Sequence, residues 1–128
     1  MTPNELRRCC LSKPGAFEDF PFGEQVSVFK VAGKVFAITD LDGAPLEVSL
    51  KCDPDLADAL RSTHAAIRPG YHLNKRHWNT VTLDGSIADE EIADMVDDSY
   101  DLVAAKLTRA QRDEVGLTQE SAKPKNSM

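Results

Sequence analysis

The segment from Arg61 to Thr82 gathers the side chains of this chain that are best suited to binding or catalysis. It contains all three histidines, the only tryptophan, four Arg or Lys residues and no acid. The stretch from Asp84 to Asp101 has the opposite composition, with eight carboxylates and no Lys or Arg, in a chain of formal charge −6. The electrostatic field of a charged segment acts over about 8–10 Å in salt solution. The distribution of charge along the chain is therefore a better guide to binding partners than the net charge is. The basic segment could bind phosphate groups. The alternative is that both segments are ordinary solvent-exposed faces, and the sequence leaves it open.

Residues 69–81 mix cations, amide side chains and aromatic rings in one short stretch. Proteins use this mixture to hold a phosphate backbone and to stack on or hydrogen-bond to nucleic-acid bases. We therefore predict a nucleic-acid surface with two kinds of contact. Phosphate contacts are expected from Arg68, Lys75 and Arg76, and base or sugar contacts from Asn74, Trp78 and Asn79.

Each of these side chains also has a purely structural interpretation. Strand alternation points Trp78 outward if its apolar neighbours face the core, whereas a bulge near Asn79 would turn the ring into the core. Asn74 is a common turn-forming residue. His72 and His77 are candidates for ligands or acid–base groups, but solvated or hydrogen-bonded imidazoles are the commoner arrangement.

The chain has no motif for catalysis or for a cofactor. It lacks a G-x-S-x-G sequence, a Gly-rich phosphate loop after a strand and a CxxC pair. Cys9 and Cys10 are adjacent and cannot easily bridge, so we expect these thiols and Cys52 to be reduced. There is no apolar run of about 18 residues, and Arg7 and Arg8 occupy the N-terminal region in place of an apolar segment. We predict a cytoplasmic, non-catalytic protein with no cofactor, no metal site and no membrane partner.

Turn and capping residues divide the chain into elements. Thr2-Pro3-Asn4-Glu5 has the form of a helix start with a capping box, and Pro14-Gly15 ends that helix. Apolar, β-branched runs around Ala32-Gly33 predict a hairpin, and Asp53-Pro54 predicts a second helix start. Strands are expected at Gln25–Val31, Lys34–Thr39, Leu46–Lys51, Ala65–Arg68 and Trp78–Leu83, and helices near the N-terminus, from Asp53 to about Thr63 and from about Ala88 to Leu107.

The order of these elements predicts an α+β fold. Strands joined by tight turns form an antiparallel sheet, here of about five strands, with the helices packed on one face. Residues 1–112 are expected to form a single domain, and residues 113–128 a polar, disordered C-terminal tail. We expect the loop that carries Phe17, Phe20 and Phe22 to tuck these rings against the core.

The last helix has an apolar and an acidic face. On the apolar face we expect the hydroxyl of Ser99 to bond back to the Met95 carbonyl, and Tyr100 to lie at the edge. We expect the acidic face to be solvated; docking to a basic partner and a weak site for hard cations are the alternatives. The cation site would use Asp94, Asp97, Asp98 and Asp101.

Five separated groups of residues resemble the MmcQ/YjbR family. They follow the family's order and span roughly residues 14–112. They are Pro21-Phe22-Gly23, Lys34-Val35-Phe36-Ala37, Lys51-Cys52-Asp53-Pro54, Asn74-Lys75-Arg76-His77-Trp78-Asn79-Thr80-Val81, and Ser99-Tyr100-Asp101-Leu102-Val103 followed by Lys106-Leu107. The resemblance implies a CyaY-like α+β fold, in which an antiparallel sheet carries helices on one side.

The resemblance also implies a function, because members of the family are commonly described as DNA-binding proteins with a double-wing motif formed by β-hairpins. It places one wing at the Ala32-Gly33 hairpin, with Lys30 and Lys34, and brings residues 74–78 close to the binding surface. Our first hypothesis is a small cytoplasmic DNA-binding protein, non-catalytic and open to a regulatory role. With a charge of −6, such a chain must present its basic segment away from its acidic helix.

Our second hypothesis is a module that binds a protein or a small anion. The family-like residues include amide, hydroxyl and imidazole groups beside the cations, which suits a defined small ligand. The pocket would be formed by Lys51, Asn74, Lys75, His77, Ser99 and Tyr100. The sequence favours neither a monomer nor a dimer.

Overall fold

The structure is a computed structural model, and it describes residues 1–117. Within these residues, four helices and six strands follow one another. They are α1 (Pro3–Leu11), β1 (Ala16–Asp19), β2 (Ser27–Val31), β3 (Lys34–Thr39), β4 (Glu47–Lys51), α2 (Pro54–Thr63), β5 (Ile67–Pro69), β6 (Trp78–Thr82), α3 (Asp89–Ala104) and α4 (Arg109–Glu114). In this described part, no helix has the length and apolar character needed to cross a membrane.

The first two helices begin at the predicted capping residues. The Thr2 hydroxyl accepts a hydrogen bond from the Glu5 backbone N–H, and the Glu5 carboxylate accepts one from the Thr2 backbone N–H. The Asp53 carboxylate accepts from the Asp55 backbone N–H, with Pro54 at the first helical position. These caps satisfy N–H groups that have no partner inside the helix, and each contributes about 1 kcal/mol.

All six strands join one antiparallel sheet in the order β1-β2-β3-β4-β6-β5. This confirms the α+β fold class, with one strand more than predicted. The missed strand is β1, a four-residue edge strand without an alternating pattern, which forms along the free edge of β2. The rings of Phe17, Phe20 and Phe22 are exposed, so the prediction that they tuck against the core is wrong.

Helices α1 and α3 share one core with the inward-facing residues of the sheet. Leu6 and Cys10 are the fully buried side chains of α1, and Ile92 and Val96 are the most buried apolar residues of α3. Each fully buried aliphatic side chain of this kind contributes roughly 1.5–3 kcal/mol. The sheet contributes Phe29, Val31, Phe36, Ala37, Val48, Leu50, Ile67 and Val81 to the same core. The prediction of an apolar face on the last helix is confirmed.

Phe36, which lies at a register shift between β2 and β3, connects the sheet to α3. The shift leaves Phe36 without a partner across the pair, and its ring packs edge-on against Tyr100 at a centroid distance of 5.3 Å. The Phe36 carbonyl accepts a hydrogen bond of 2.6 Å from the Ser99 hydroxyl, which in turn accepts one of 2.8 Å from the Lys51 backbone N–H. The predicted bond from Ser99 to the Met95 carbonyl is therefore wrong. Ser99 links two strands to the helix that crosses them.

The described structure continues beyond the predicted domain boundary at residue 112. Thr108 and Gln111 form a second capping box at the start of α4. Val115 and Leu117 then pack against the core, and Val115 lies so close to Gly15 that a side chain at that glycine would collide with it. Residues 113–117 thus belong to the domain. The rest of the predicted tail, residues 118–128, lies outside the described residues.

Cys9, Cys10 and Cys52 are free thiols, as expected. Burial raises the pKa of Cys10 to about 12 and also raises the pKa values of Cys9 and Cys52. A raised pKa keeps a thiol protonated at neutral pH, and the protonated form is a poor nucleophile. These cysteines therefore act as core residues.

Replacing Ser99 with Ala should destabilise the protein by about 1–3 kcal/mol, because two buried backbone groups lose their partner. The measurement is urea-induced unfolding at neutral pH. Ser62→Ala is the matched control, since the Ser62 hydroxyl donates to the Asp58 carbonyl on an exposed face of α2. Equal effects of the two substitutions would contradict the role assigned to Ser99.

Candidate functional site

One end of the sheet collects two of the four Arg or Lys residues of the basic segment, together with three lysines from elsewhere. The β2–β3 hairpin turns between Val31 and Lys34, and Lys51 lies opposite Trp78 where β4 ends and β6 begins. Because all these strands are antiparallel neighbours, the hairpin, these strand termini and the β5–β6 loop lie at one end of the sheet. We call this the basic end, defined by Lys34, Lys51, Lys75, Arg76, His77 and Lys106.

A cleft of about 370 Å³ opens at the basic end, between the β5–β6 loop and the C-terminal part of α3. Lys51 and Lys106 both line it, and the side chain of neither makes an ion pair or hydrogen bond with residues 1–117. Trp78 and Leu102 supply apolar wall. We call this the lysine cleft; its lining residues are Lys51, Cys52, Asp53, Pro54, Asn74, His77, Trp78, Leu102 and Lys106.

Arg61 of α2 holds the loop that forms one wall of the lysine cleft. Its Nε donates to Oδ1 of Asn79 at 2.7 Å, and its Nη2 donates to the Trp78 carbonyl at 3.2 Å and to the Lys75 carbonyl. The His77 carbonyl accepts a bond of 2.7 Å from the Cys52 backbone N–H. The rigid guanidinium fork suits a set of fixed acceptors, so the loop is ordered before any ligand binds. The sequence analysis counted Arg61 among the cations but missed this structural role.

The three residues predicted to contact bases have different environments. The β4–β6 register is regular through Asn79, so the alternative of a bulge is wrong, and Trp78 stays half-buried at the cleft. Asn79 is 2% exposed and is bonded to Arg61, so it is not available to a base. Oδ1 of Asn74 accepts from the Arg76 backbone N–H at 3.0 Å, as a turn-forming residue does, and Asn74 also lines the cleft.

Two of the predicted cations are neutralised by neighbouring carboxylates. Arg68 forms a bidentate pair with Glu47, with distances of 2.6 and 3.0 Å, which lowers the pKa of Glu47. Lys30 donates to Asp19 at 2.8 Å. Neither is thus free to neutralise phosphate, which corrects both predictions. Lys34 and Arg76, like Lys75, are exposed.

The pocket of the second hypothesis is formed only in part. Lys51, Asn74 and His77 do line one cleft. The ammonium of Lys75 is turned away onto the Gly70 carbonyl, at 2.9 Å. The remaining two members, Ser99 and Tyr100, are buried, and the Tyr100 hydroxyl donates to the Pro14 carbonyl at 2.5 Å. These two residues support the cleft from the core and do not line it.

Lys106 and Leu102, from the C-terminal side of α3, are two of the lining residues that the pocket prediction left out. Both belong to the last family-like group, yet α3 ends at Ala104, so helical periodicity does not place Lys106. Its position follows from the packing of α3 across the sheet. The signal available in the sequence was the family-like pair Lys106-Leu107 alone.

The remaining titratable groups of the described part include the acidic residues considered for a metal site. No group of three or more His, Cys, Asp or Glu side chains within residues 1–117 is arranged to hold a metal ion. On the acidic face of α3, burial and then the charges of Asp101 and Asp94 raise the pKa of Asp98. His64 is bonded to Glu91 at 2.9 Å. The cation site considered for the acidic helix thus finds no support in the described part.

Comparison with known proteins identifies the family. The family model described as YjbR matches residues 11–102. The chain belongs to the YjbR family. It is 41% identical over 113 residues to Escherichia coli (strain K12) YjbR, covering 88% of this chain and 95% of the relative. It is 36% identical over 109 residues to YbdF of Escherichia coli O157:H7, covering 84% and 87% of the two chains. The names of these relatives state no ligand and no activity.

Solved structures share the architecture of this YjbR-family chain. The crystal structure of the Deinococcus radiodurans protein DR2400 matches with a TM-score of 0.84 at 42% identity, covering 95% of this chain and 94% of the other. A Pseudomonas syringae protein matches with a TM-score of 0.70 at 27% identity, covering 80% of this chain and 99% of its own. These similarities confirm the fold and the resemblance.

Replacing Arg61 with Lys should loosen the β5–β6 loop, because one ammonium cannot reproduce the fork that reaches acceptors at Lys75, Trp78 and Asn79. Bonds to a charged group contribute about 1.5–3 kcal/mol, so we expect a loss of stability of roughly that size. We also expect faster amide hydrogen exchange in residues 70–79, measured by mass spectrometry. Arg76→Lys, at an exposed position on the same loop, is the control. Unchanged exchange in Arg61→Lys would show that the loop is held by other contacts.

Proposed function

We propose that the lysine cleft binds a small anionic ligand that carries a flat or apolar part. The observation that supports this is the convergence of Lys51 and Lys106, without carboxylate partners among residues 1–117, on one concave site with an indole in its wall. Two ammonium groups facing a shared volume repel each other, and an anion between them relieves that repulsion. The volume of about 370 Å³ is in the range of small-ligand sites.

Each lining residue would make a different kind of contact with the ligand. Lys51 and Lys106 neutralise a phosphate or carboxylate, and charge-assisted hydrogen bonds are the strong ones. The Asn74 amide adds a directional hydrogen bond. The imidazole of His77, half-buried beside the lysines, donates a ring N–H to the anion. The exposed part of Trp78 packs against a flat ring or an apolar chain.

The proposed role is binding without catalysis. Cys52 lines the cleft, and burial raises the pKa of its thiol, with the charges of Asp98 and Asp53 adding to the increase. A thiol in that state does not supply a thiolate at neutral pH. The cytoplasmic location expected from the sequence is part of the same proposal.

Phosphate, citrate and a nucleoside monophosphate should raise the melting temperature, since a ligand that binds only the folded state stabilises it. The monophosphate should act at the lowest concentration because it also offers a ring to Trp78. Lys51→Ala and Lys106→Ala should each weaken binding about tenfold, which corresponds to about 1.4 kcal/mol. The measurements are thermal shift and calorimetry.

Lys34→Ala is the matched control, because Lys34 is an exposed cation of the basic end that does not line the cleft. An equal loss of affinity in Lys34→Ala would indicate a diffuse charge effect. Failure of every anion to stabilise the protein at millimolar concentration would overturn the proposal.

As a second candidate, we propose that the basic end binds DNA. Lys34 on the β2–β3 hairpin and the exposed Lys75 and Arg76 on the β5–β6 loop extend the charge of the lysine cleft along the end of the sheet. Two projecting hairpins are the arrangement implied by the double-wing description. Phosphate contacts by these residues would supply the affinity, and Asn74 and Trp78 would contact bases or sugar. The acidic face of α3, with Asp98 near Cys52, limits the surface on one side.

Duplex and single-stranded DNA should be titrated by fluorescence anisotropy at low and physiological salt. Replacing both Lys75 and Arg76 with Ala should weaken binding about equally for all sequences and reduce the salt slope by about 2. Anion binding in the cleft should survive this double substitution, which separates the two candidates. Absence of DNA binding at low salt would remove the second candidate and leave the first untouched.

A further inference from the structure

We propose that this protein also binds a second ligand, a small flat molecule that is neutral or positively charged, on the open face of its sheet. Ile38, Ser49 and Thr80 lie opposite one another across β3, β4 and β6. Strand alternation points them away from the inward Val48 and Val81. They form the floor of a groove of about 590 Å³, well within the range of small-ligand pockets. We call it the open-face groove.

Three loops form the walls of the open-face groove, and two of them present exposed aromatic rings. The walls come from residues 22–26, 40–45 and 71–73. Phe22 is 73% exposed and Tyr71 65% exposed, the highest values for large apolar side chains among residues 1–117. Both line this one groove. Apolar surface of this kind, gathered around a concavity, marks a binding site more often than a scattered exposed residue does.

Ser49 and Thr80 form the polar part of the groove floor. Oγ of Ser49 and Oγ1 of Thr80 lie 2.8 Å apart, and the Thr80 oxygen also accepts from the Tyr71 backbone N–H at 3.1 Å. Each hydroxyl has one donor and two acceptor positions, so the pair retains hydrogen-bonding capacity after these contacts. A polar group of a ligand that reaches the floor can therefore form a hydrogen bond with one of these hydroxyls, and this bond would orient the ligand in the groove.

The charge of the open-face groove is opposite to that of the lysine cleft. Asp40 and Glu47 line the groove, and its lining residues in the described part include no Lys or Arg. Glu47 is already paired with Arg68, but the Asp40 carboxylate has a single backbone partner, the Asp42 N–H at 2.9 Å. A carboxylate and two aromatic faces attract a cation and repel an anion. Charge complementarity thus selects a ligand of a different class from that of the lysine cleft.

His72 holds one wall of the groove in an unfavourable backbone conformation. Its φ of +58° lies in the left-handed region, which residues with a Cβ rarely adopt. In this conformation its ring tilts onto that of Tyr71, with centroids 4.0 Å apart. Such conformations persist where the surrounding structure requires them, and they cluster at ligand-binding sites. Here the conformation positions Tyr71 at the mouth of the groove.

The test uses three probes that share an indole ring and differ in charge: indole, tryptamine and indole-3-acetate. In a ¹⁵N-labelled titration of the whole chain, indole and tryptamine should shift the amide signals of residues 38, 49, 71–73 and 80. Indole-3-acetate should bind at least about tenfold more weakly than tryptamine, because its carboxylate faces Asp40. Phe22→Ala and Tyr71→Ala should each weaken tryptamine binding about tenfold.

Phe17→Ala is the matched control, since Phe17 is an exposed aromatic residue that does not line the groove. Lys51→Ala should also leave tryptamine binding unchanged, which makes this result independent of the lysine cleft. The substituted rings are exposed, so thermal melting should show folded variants.

Three results would overturn the proposal: no shift of the floor and wall signals at millimolar probe, equal or tighter binding of indole-3-acetate, or a dimer through this face. The dimer would appear by light scattering as a concentration-dependent mass that Tyr71→Ala abolishes, and the occupant of the groove would then be a second copy of the chain.

Discussion

In the antiparallel pair of β4 and β6, Val48 lies opposite Val81, and both side chains are fully buried against the helices. Because strand side chains alternate, this one pairing also sets the residues before and after it. The next pair, Ser49 with Thr80, faces the open side of the sheet, and the terminal pair, Lys51 with Trp78, lies at its end. A slip of one residue would turn the polar row toward the helices and the valines toward the open side of the sheet. Burial of Val48 and Val81 therefore fixes the floor of the groove and one edge of the cleft together.

Helices α2 and α3 bond to the strands and to the β5–β6 loop, and these bonds position the residues that line the cleft. Ser99 joins the backbone of β3 and β4 to α3, which places the C-terminal part of α3 beside Lys51 and brings Lys106 to the cleft. Arg61 performs a similar task from α2 on the β5–β6 loop. Both residues act from buried or half-buried positions, and most of their partners are backbone groups. The site is thus positioned before ligand binding, which reduces the entropy lost when a ligand binds.

Charge on this chain is organised by local pairing as much as by sequence blocks. Arg68 and Lys30, which the sequence predicts to contact DNA, are neutralised by Glu47 and Asp19 respectively. Lys51 and Lys106, which are 55 positions apart in sequence numbering, meet without carboxylate partners among the described residues. The molecule therefore has a positive end in spite of its net charge of −6, and an open face with acidic lining. The local fields of these two surfaces are therefore opposite in sign.

The sequence by itself determined the fold class, the first two helix starts and the inward stripe of α3, because capping, alternation and periodicity are local signals. The family followed from the resemblance of five separated residue groups. It did not determine β1, whose pairing depends on the free edge of β2, nor the partners of Ser99 and Arg61. It gave Lys51, Asn74 and His77 correctly as neighbours but not Lys106 or the open-face groove. Those features join residues from distant parts of the chain. Only the packing of α3 across the sheet and the register of β4 on β6 bring them together, since composition and spacing carry no information about which distant surfaces meet.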